Sequence, residues 1–192
     1  GALRESGLTV GQTPKPHLVS YRERIVVDGQ PIAVSDFVAL LSEVLEQADR
    51  HSLYKAAAKE IALQLGLAVT FMAKWRSDLA GSSMHLHLSL WDKAGKKPLF
   101  PGKKKLGPVD TSDTFRWFLG GWMAHARELS AFFAPSVNSY KRYQSASFAP
   151  TAIAWGMDNR TCALRVVGHG HGMRMENRAP GGDVNQYLAV SA

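Results

Sequence analysis

Residues 84–90 alternate strictly between apolar and polar side chains, in the order Met-His-Leu-His-Leu-Ser-Leu. Successive side chains of a β-strand point to opposite faces, so this period of two predicts a strand with one polar and one buried face. The polar face carries His85, His87 and Ser89. The buried face carries the apolar residues Met84, Leu86, Leu88 and Leu90. We therefore expect a sheet with a core on one side and ionisable groups on the other.

A second polar face is predicted in segment 174–178, where Arg174, Glu176 and Arg178 alternate with other residues. One interpretation is an ion network on an exposed sheet. The other is an anion site in which the arginines bind and Glu176 offers an oxygen ligand to magnesium or manganese. Arg160 and Arg165 are close in sequence, and so many guanidinium groups repel one another unless an anion lies among them. The pattern favours a phosphate or carboxylate substrate.

The histidines and the cysteine allow more than one interpretation. His85 and His87 are either two surface histidines or ligands for a divalent metal or, when protonated, for phosphate. Residues 168–172 alternate glycine and histidine, which is more typical of a turn than of a metal site. Cys162 falls on the strand face opposite Arg165, which predicts a core residue and not a nucleophile.

Composition narrows the classes of partner. The chain of 192 residues has a formal net charge of +7, which suits nucleic acid, a membrane surface or a small polyanion. The lysine run 103–105 lies among glycines and prolines without interleaved aromatic residues, so we interpret it as a solvated loop and expect no nucleic-acid partner. No apolar stretch approaches the roughly 20 residues that cross a membrane. The first residues lack a basic region followed by an apolar run, so we expect no secretory leader. A single cysteine fits a reducing, cytoplasmic location.

Periodicity divides the chain into an irregular segment, residues 1–34, and a domain at residues 35–192. A helix, single or in tandem, is predicted from Ser35 to Leu65, with Gly66 as its stop. A second helix is predicted from Ser112 to about Phe133. Strands are predicted at 67–72, 161–167 and 173–178, a polar loop at 138–150, and the start of a last helix at 188–190.

The order of the motifs resembles the catalytic domain of the glutamine synthetase family over about residues 35–192. The matching segments are Leu53-Tyr54-Lys55 to Phe71-Met72-Ala73-Lys74, Gly81 to Trp91, Asn138-Ser139-Tyr140-Lys141-Arg142, Asp158-Asn159-Arg160 with Arg165, Arg174 to Arg178, and Asn185-Gln186-Tyr187-Leu188-Ala189. Several motifs in the right order are far more specific than any one of them.

The resemblance implies a fold and an activity. The fold is α+β, a curved and mostly antiparallel sheet flanked by helices, of the guanido-kinase-like kind. The activity is that of an ATP-dependent ligase, with Mg²⁺ or Mn²⁺, which joins glutamate to ammonia or an amine through γ-glutamyl phosphate. The family assembles as a homo-oligomeric ring in which a neighbouring subunit completes each active site.

The resemblance also implies roles for particular residues. His85 and Glu176 would ligate the metal nearest the ATP phosphates. Arg160 would neutralise charge that develops on the transferred phosphoryl group. The residues that would contact ATP are His87, Ser89, Arg165 and Arg174. The residues that would hold the amino-acid substrate are Gly81, Arg142 and Arg178.

Two positions depart from the family pattern. The family's flap carries a glutamate that binds and deprotonates ammonium, whereas residues 146–150 read Ala-Ser-Phe-Ala-Pro and place Phe148 there. Phenylalanine cannot accept a proton, but it can line an apolar slot for a larger amine or offer a cation–π face. Ala80 replaces an asparagine that would contact the amino-acid substrate. The chain therefore resembles the branch of γ-glutamyl-amine or polyamine ligases more than the ammonia-fixing enzymes.

The beginning of the chain departs further. Gly29-Gln30-Pro31-Ile32 resembles the family's metal-binding region without its following glutamate, and Glu23 lies near the position of the earlier one. We therefore expect a fragment that lacks the family's small β-grasp domain and its last helices and is inactive by itself. The alternative is a non-catalytic relative that binds a nucleotide or an amino acid.

Overall fold

The structure is a computed structural model that describes residues 11–12, 26–27, 30–31 and 33–192. Most of the segment predicted to be irregular, including Glu23, Gly29 and Ile32, lies outside these residues. The chain divides into two compact units, residues 1–51 and 52–192. In the first unit, β1 (Gly11–Gln12), β2 (Val26–Val27) and β3 (Gln30–Pro31) form a small antiparallel sheet.

Helix α1 runs without a break over Val34–Gln64, so the first predicted helix is single and not a tandem pair. Gly66 follows it with a φ of 69°, a left-handed conformation that favours glycine. The amide of Leu67 donates to the carbonyl of Ala62 at 2.8 Å across this turn. Gly66 therefore ends the helix, as predicted.

The candidate site lies on a four-stranded sheet in the second unit. Its strands are, in spatial order, β4 (Leu86–Leu88), β9 (Arg174–Asn177), β8 (Cys162–Val167) and β7 (Ala152–Met157). The pairs β4–β9 and β9–β8 are antiparallel, whereas β7 pairs with β8 in parallel and with an irregular register. Antiparallel pairing dominates, and the predicted α+β class is confirmed.

One face of this sheet packs on the core. The core is formed by Phe100, Val109, Phe115, Leu119, Leu164, Val166, Met173 and Met175. Helix α2 (Asp113–His125) contributes Phe115 and Leu119, and Ser112 caps it by accepting from the amide of Phe115 at 3.0 Å. Cys162 is buried with a free thiol, as predicted for a core residue.

Three predicted elements differ in extent. The second helix was predicted to reach Phe133, but α2 ends at His125 and a short helix, α3 (Ser130–Phe133), follows. The carbonyl of Arg127 accepts from both the amide and the hydroxyl of Ser130, a local bond that competes with the helix. The predicted polar loop at 138–150 begins with a short helix, α4 (Val137–Tyr140), and the last helix is α5 (Gln186–Ser191).

The predicted buried strand at 67–72 is wrong. This segment pairs with no described strand, and Leu67, Val69 and Met72 are 64%, 42% and 46% exposed. The amide of Met72 bonds to the hydroxyl of Thr70 at 3.2 Å instead of to a neighbouring strand. The alternating run 84–90 joins the sheet only over β4, and Leu90 is 37% exposed instead of buried.

The predicted lysine loop is a hairpin. Strands β5 (Pro101–Leu106) and β6 (Val109–Thr111) pair in the antiparallel sense around Gly107, whose φ is 58°. The lysine side chains are solvated, as predicted: Lys104 and Lys105 are 59% and 73% exposed. Their ion pairs with Asp113, at 2.6 Å, and Asp110, at 2.9 Å, lie on the surface. None of the described helices has the length and apolar character that a membrane-spanning segment needs.

Candidate active site

Glu176 lies at the centre of the polar face of the sheet. The register of the ladder places His87 of β4 on one side of Glu176 and Arg165 of β8 on the other. Residues directly opposite in a ladder point to the same face. The alternation of residues 84–90 and 174–178 therefore brings the predicted metal and ATP residues together, as their contacts with Glu176 show.

The Glu176 carboxylate is buried between two guanidinium groups. Nη1 of Arg178 donates to its Oε1 at 2.7 Å, and Nη1 of Arg165 donates to its Oε2 at 3.0 Å. Burial acts to raise the pKa of Glu176, but the Arg165 hydrogen bond and the Arg178 charge outweigh it and hold this pKa below its usual range. Glu176 is therefore an anion inside a cationic frame.

His85 touches the same carboxylate from the end of β4. Its Nδ1 lies 2.8 Å from Glu176 Oε1. Burial and the charge of Arg178 lower the pKa of His85 to about 4, against the opposing effect of Glu176, so the imidazole is neutral at pH 7. Nη1 of Arg178 lies 3.4 Å from the same nitrogen, so Nδ1 stands between a cationic donor and a carboxylate acceptor. A neutral imidazole keeps one ring nitrogen with a free lone pair, which suits a ligand such as a metal ion.

His87, Arg174 and Ser89 continue the polar face. Nε of Arg174 donates to Nδ1 of His87 at 3.1 Å, and its Nη1 donates to the carbonyl of Gly172 at 3.1 Å. Ser89 lies just beyond β4 and accepts from Nε1 of Trp91 at 3.0 Å. Of the predicted ATP-contacting residues, Arg174 and His87 thus contact each other, whereas the Arg165 side chain is only 15% exposed and is held by Glu176 and Asp158.

A cleft of about 510 Å³ opens beside Arg165. Its described walls are Phe148, Met157, Asp158, Asn159, Arg160, Thr161 and Arg165. Arg165 binds Asp158 through Nε, at 2.9 Å, and through Nη2. Arg160, the predicted catalytic residue, has an exposed side chain in this cleft, and its carbonyl accepts from Nε of Arg178 at 3.2 Å.

Gly81 and Arg142, two of the predicted substrate-binding residues, lie against each other. A Cβ on Gly81 would meet the carbonyl oxygen of Ala73 at 2.4 Å and Cγ of Arg142 at 3.0 Å, so only glycine fits there. Arg142 is 4% exposed and donates to the carbonyls of Arg178, at 3.1 Å, and of Ala179. Its guanidinium therefore organises the backbone behind the site.

The segment 146–150, which we call the flap, is tied to the sheet by Arg178. The carbonyl of Phe148 accepts from Nη2 of Arg178 at 2.9 Å. Ala146 and Phe148 have φ values of 61° and 55°, a conformation that costs about 1 kcal/mol or more for residues other than glycine. Arg178 thus contacts the flap, Arg160 and Glu176 together, and the Phe148 ring, 68% exposed, lines the cleft.

The described residues meet only part of the requirement for a divalent metal. Within residues 33–192 and the two-residue strands β1, β2 and β3, no group of three or more His, Cys, Asp or Glu side chains is placed to hold an ion. His85 and Glu176 supply two candidate donors, but both Glu176 oxygens also accept from arginine. A complete shell would need ligands from outside the described residues.

Two residues were missed as site residues. Asp158 was assigned no role, although its place two residues before Arg160 in a polar turn was a signal. Asp183 accepts through Oδ2 from the hydroxyls of Ser139, at 2.6 Å, and Ser136, at 3.0 Å, and so fixes the turn that carries Arg142. A contact spanning more than forty residues has no local sequence signal.

The sequence model of the glutamine synthetase catalytic domain matches residues 37–192. The chain belongs to the glutamine synthetase family. The predicted resemblance to this family is confirmed. The match covers the whole polar face of the sheet, the flap and the cleft.

Relatives within this family include ligases for substituted amines. Over 149 residues the chain is 55% identical to gamma-glutamylethanolamide synthetase GlnA4 of Streptomyces coelicolor. The aligned region covers 78% of this chain and 31% of that protein. It is 43% identical over 151 residues to glutamate–isopropylamine ligase of a Pseudomonas species, covering 78% of this chain and 32% of that protein. The chain thus spans about a third of the length of these relatives.

A solved structure supports the same placement. The structure of a GmaS/ADP complex superposes with a TM-score of 0.66 at 40% identity and covers 77% of this chain and 34% of that one. The apo form of GmaS gives a TM-score of 0.64. The fold described above is therefore that of a glutamine synthetase catalytic domain, and the resemblance to the amine-ligase branch is supported by the names of the relatives.

Proposed function

We propose that the protein is an ATP-dependent ligase that forms a γ-glutamyl amide from glutamate and an amine larger than ammonia. The observation that carries this proposal is the cationic face around Glu176, where Arg165, Arg174 and Arg178 meet two histidines. Such a face suits a polyanion, and the family supplies ATP and glutamate as the anions. The solved structure of a GmaS/ADP complex, similar in fold, supports the use of a nucleotide.

The reaction proceeds in two transfers. The side-chain carboxylate of glutamate attacks the γ-phosphorus of ATP, ADP leaves, and γ-glutamyl phosphate forms. The amine nitrogen then attacks the acyl carbon, inorganic phosphate leaves, and the amine gives up a proton. Arg165 and Arg174 would contact the ATP phosphates, and Arg160, exposed in the cleft, would neutralise charge on the transferred phosphoryl group.

The remaining predicted contacts belong to the same proposal. His87 and Ser89 would touch ATP, and Gly81, Arg142 and Arg178 would position glutamate. Because Arg142 and Arg178 are buried and bound to carbonyls, we infer that they act largely by shaping the backbone around the substrate. Mg²⁺ or Mn²⁺ would take His85 and Glu176 as two of its ligands. Ring assembly and a cytoplasmic location are also proposals carried over from the family.

Phe148 supports an amine with a hydrocarbon group. It stands where the family's ammonium-binding glutamate belongs, and it lines the cleft together with Met157. An apolar side chain lowers the affinity for ammonium and favours burial of a carbon substituent. Two relatives are named for such amines, ethanolamine and isopropylamine.

The test is amide formation by the full-length protein with ATP, glutamate and a panel of ammonia, ethylamine, ethanolamine and isopropylamine. Mass spectrometry identifies the product and a phosphate assay gives the rate. We expect a γ-glutamyl amide from at least one substituted amine, at a higher kcat/KM than with ammonia. Release of phosphate that is independent of every amine would refute the proposal. Binding of ATP without any phosphate release would refute it too and would favour a non-catalytic nucleotide-binding relative.

A further inference from the structure

We propose that Asp158 is a specificity-determining residue that binds the protonated nitrogen of the amine substrate across the cleft from Phe148. This inference rests on the proposed function, because it assigns a residue to the amine of that reaction. It explains how a chain with phenylalanine in the flap keeps a charge that recognises a cation.

The first argument is the lining of the cleft. Of the described residues that line it, Asp158 is the only carboxylate. Phe148 and Met157 supply an apolar wall in the same cleft. A protonated alkylamine has one cationic end and one hydrocarbon end, so its two ends match these two kinds of wall. Free ammonium, which has no hydrocarbon end, would interact only with the carboxylate.

The second argument is the geometry of the carboxylate. Both hydrogen bonds from Arg165 go to Oδ1. Oδ2 accepts no hydrogen bond from the part of the chain that the structure describes, and the side chain is 66% exposed. One oxygen is thus fixed by Arg165 while the other remains available to a donor in the cleft.

The third argument is that the position is held rigidly and stays charged. The amide of Asp158 donates to the carbonyl of Val166 at 2.9 Å, which anchors a backbone with a φ of 49°. Strain of this kind persists where the surrounding structure fixes it, often at functional sites. The Arg165 hydrogen bond and charge lower the pKa of Asp158 below its usual range, so the group is an anion at neutral pH.

A purely structural role through Arg165 makes a different prediction. If Asp158 only orients Arg165, its loss would disturb ATP and would affect every nitrogen nucleophile equally. If Asp158 binds an ammonium group, its loss would weaken the binding of charged amines alone. Hydroxylamine, which is uncharged at neutral pH, separates the two roles.

The experiment compares Asp158→Asn with the wild-type full-length protein at pH 7.5, using ethylamine and hydroxylamine as nucleophiles. Asparagine keeps an acceptor for Arg165 and removes the charge. We expect the KM for ethylamine to rise about tenfold, while the KM values for ATP and hydroxylamine change less than about twofold. Asp158→Glu keeps the charge, and we expect it to restore most of the ethylamine affinity. Asp110→Asn removes a carboxylate paired with Lys105 on the distant hairpin and is the matched control.

An unchanged KM for ethylamine in Asp158→Asn would overturn the inference. Parallel increases in the KM values for ethylamine, hydroxylamine and ATP would also overturn the inference and would indicate a role through Arg165. If Asp158→Asn does not fold, the folded Asp158→Glu variant provides the test. The inference is overturned if this variant does not discriminate ethylamine from hydroxylamine as the wild type does. A wild type that forms no amide with any amine marks instead the failure of the proposed function.

Discussion

Arg178 illustrates how one buried side chain organises the site. It is 5% exposed and binds Glu176, the flap carbonyl of Phe148 and the carbonyl of Arg160. Its removal would leave the buried Glu176 carboxylate with Arg165 as its only arginine partner among the described residues and would take the Arg178 donors from the carbonyls of Phe148 and Arg160. We predict that Arg178→Met lowers the free energy of unfolding by about 3–5 kcal/mol in urea denaturation of the chain.

The control for this prediction is Lys104→Met. Lys104 binds Asp113 at 2.6 Å, but its side chain is 59% exposed. An exposed pair contributes about 1 kcal/mol or less, so this variant should unfold close to the wild type. Equal decreases in the free energy of unfolding of the two variants would contradict the description of Arg178 as a buried residue that organises the site.

Phe148 carries a prediction about specificity. Glutamate at this position restores a group that can bind ammonium and accept a proton. We predict that Phe148→Glu lowers kcat/KM for ethylamine and raises it for ammonia, each by about tenfold, measured as amide formation. Phe148→Leu, which keeps an apolar wall, should retain the preference for ethylamine. A preference that does not move in Phe148→Glu would show that the flap does not select the amine.

At the scale of the elements, two glycines of the same domain should respond oppositely to alanine. A Cβ on Gly102 in β5 would lie 2.2 Å from the carbonyl oxygen of Thr111, a backbone clash in the hairpin. Gly120 in α2 is exposed and has no atom within 4 Å of the position of a Cβ. We predict that Gly102→Ala destabilises the chain by about 1–3 kcal/mol and Gly120→Ala stabilises it by about 0.5–1 kcal/mol, read as shifts in Tm. Shifts of the same sign would contradict the description of these elements.

The elements also show what the sequence can and cannot predict. The alternation around His85 and His87 identifies the polar face, since the period of a strand is local. The extent of β4 is not a local property, because a strand is defined by its pairing, here with β9 in another part of the chain. The hairpin at Lys103–Lys105 was missed for the same reason, as lysines have low strand propensity and their pairing with β6 decides the structure.

The site shows the same division at the level of contacts. The order of motifs indicates that Glu176, His85 and Arg165 belong together, and the structure joins them. Sequence does not reveal that Arg142 and Arg178 are buried, or that Asp158 lines a cleft, because both follow from packing between distant segments. Glu23, Gly29 and Ile32, which belong to the predicted metal-binding region, lie outside the described part of the chain.

At the scale of the whole molecule, we predict that these 192 residues alone do not turn over substrate. The described residues bring two metal-type donors together, His85 and Glu176, and no group of three. Because the chain spans about a third of the length of its relatives, we expect it to release no phosphate from ATP with glutamate and ethylamine, measured beside a full-length relative as the positive control. Turnover by the isolated chain would show that the described face is sufficient.

The transfer of oxygen from glutamate to phosphate tests the central claim most directly. In the proposed reaction the glutamate carboxylate attacks ATP, so one of its oxygens leaves with phosphate when the amine displaces it. With glutamate labelled by ¹⁸O in the side-chain carboxylate, ATP and ethylamine, mass spectrometry of the phosphate released by the full-length protein reports this step. We predict one ¹⁸O in each phosphate, accompanied by an equal amount of γ-glutamyl ethylamide. Unlabelled phosphate would contradict the acyl-phosphate route and the assignment of the Glu176-centred face to ligase chemistry.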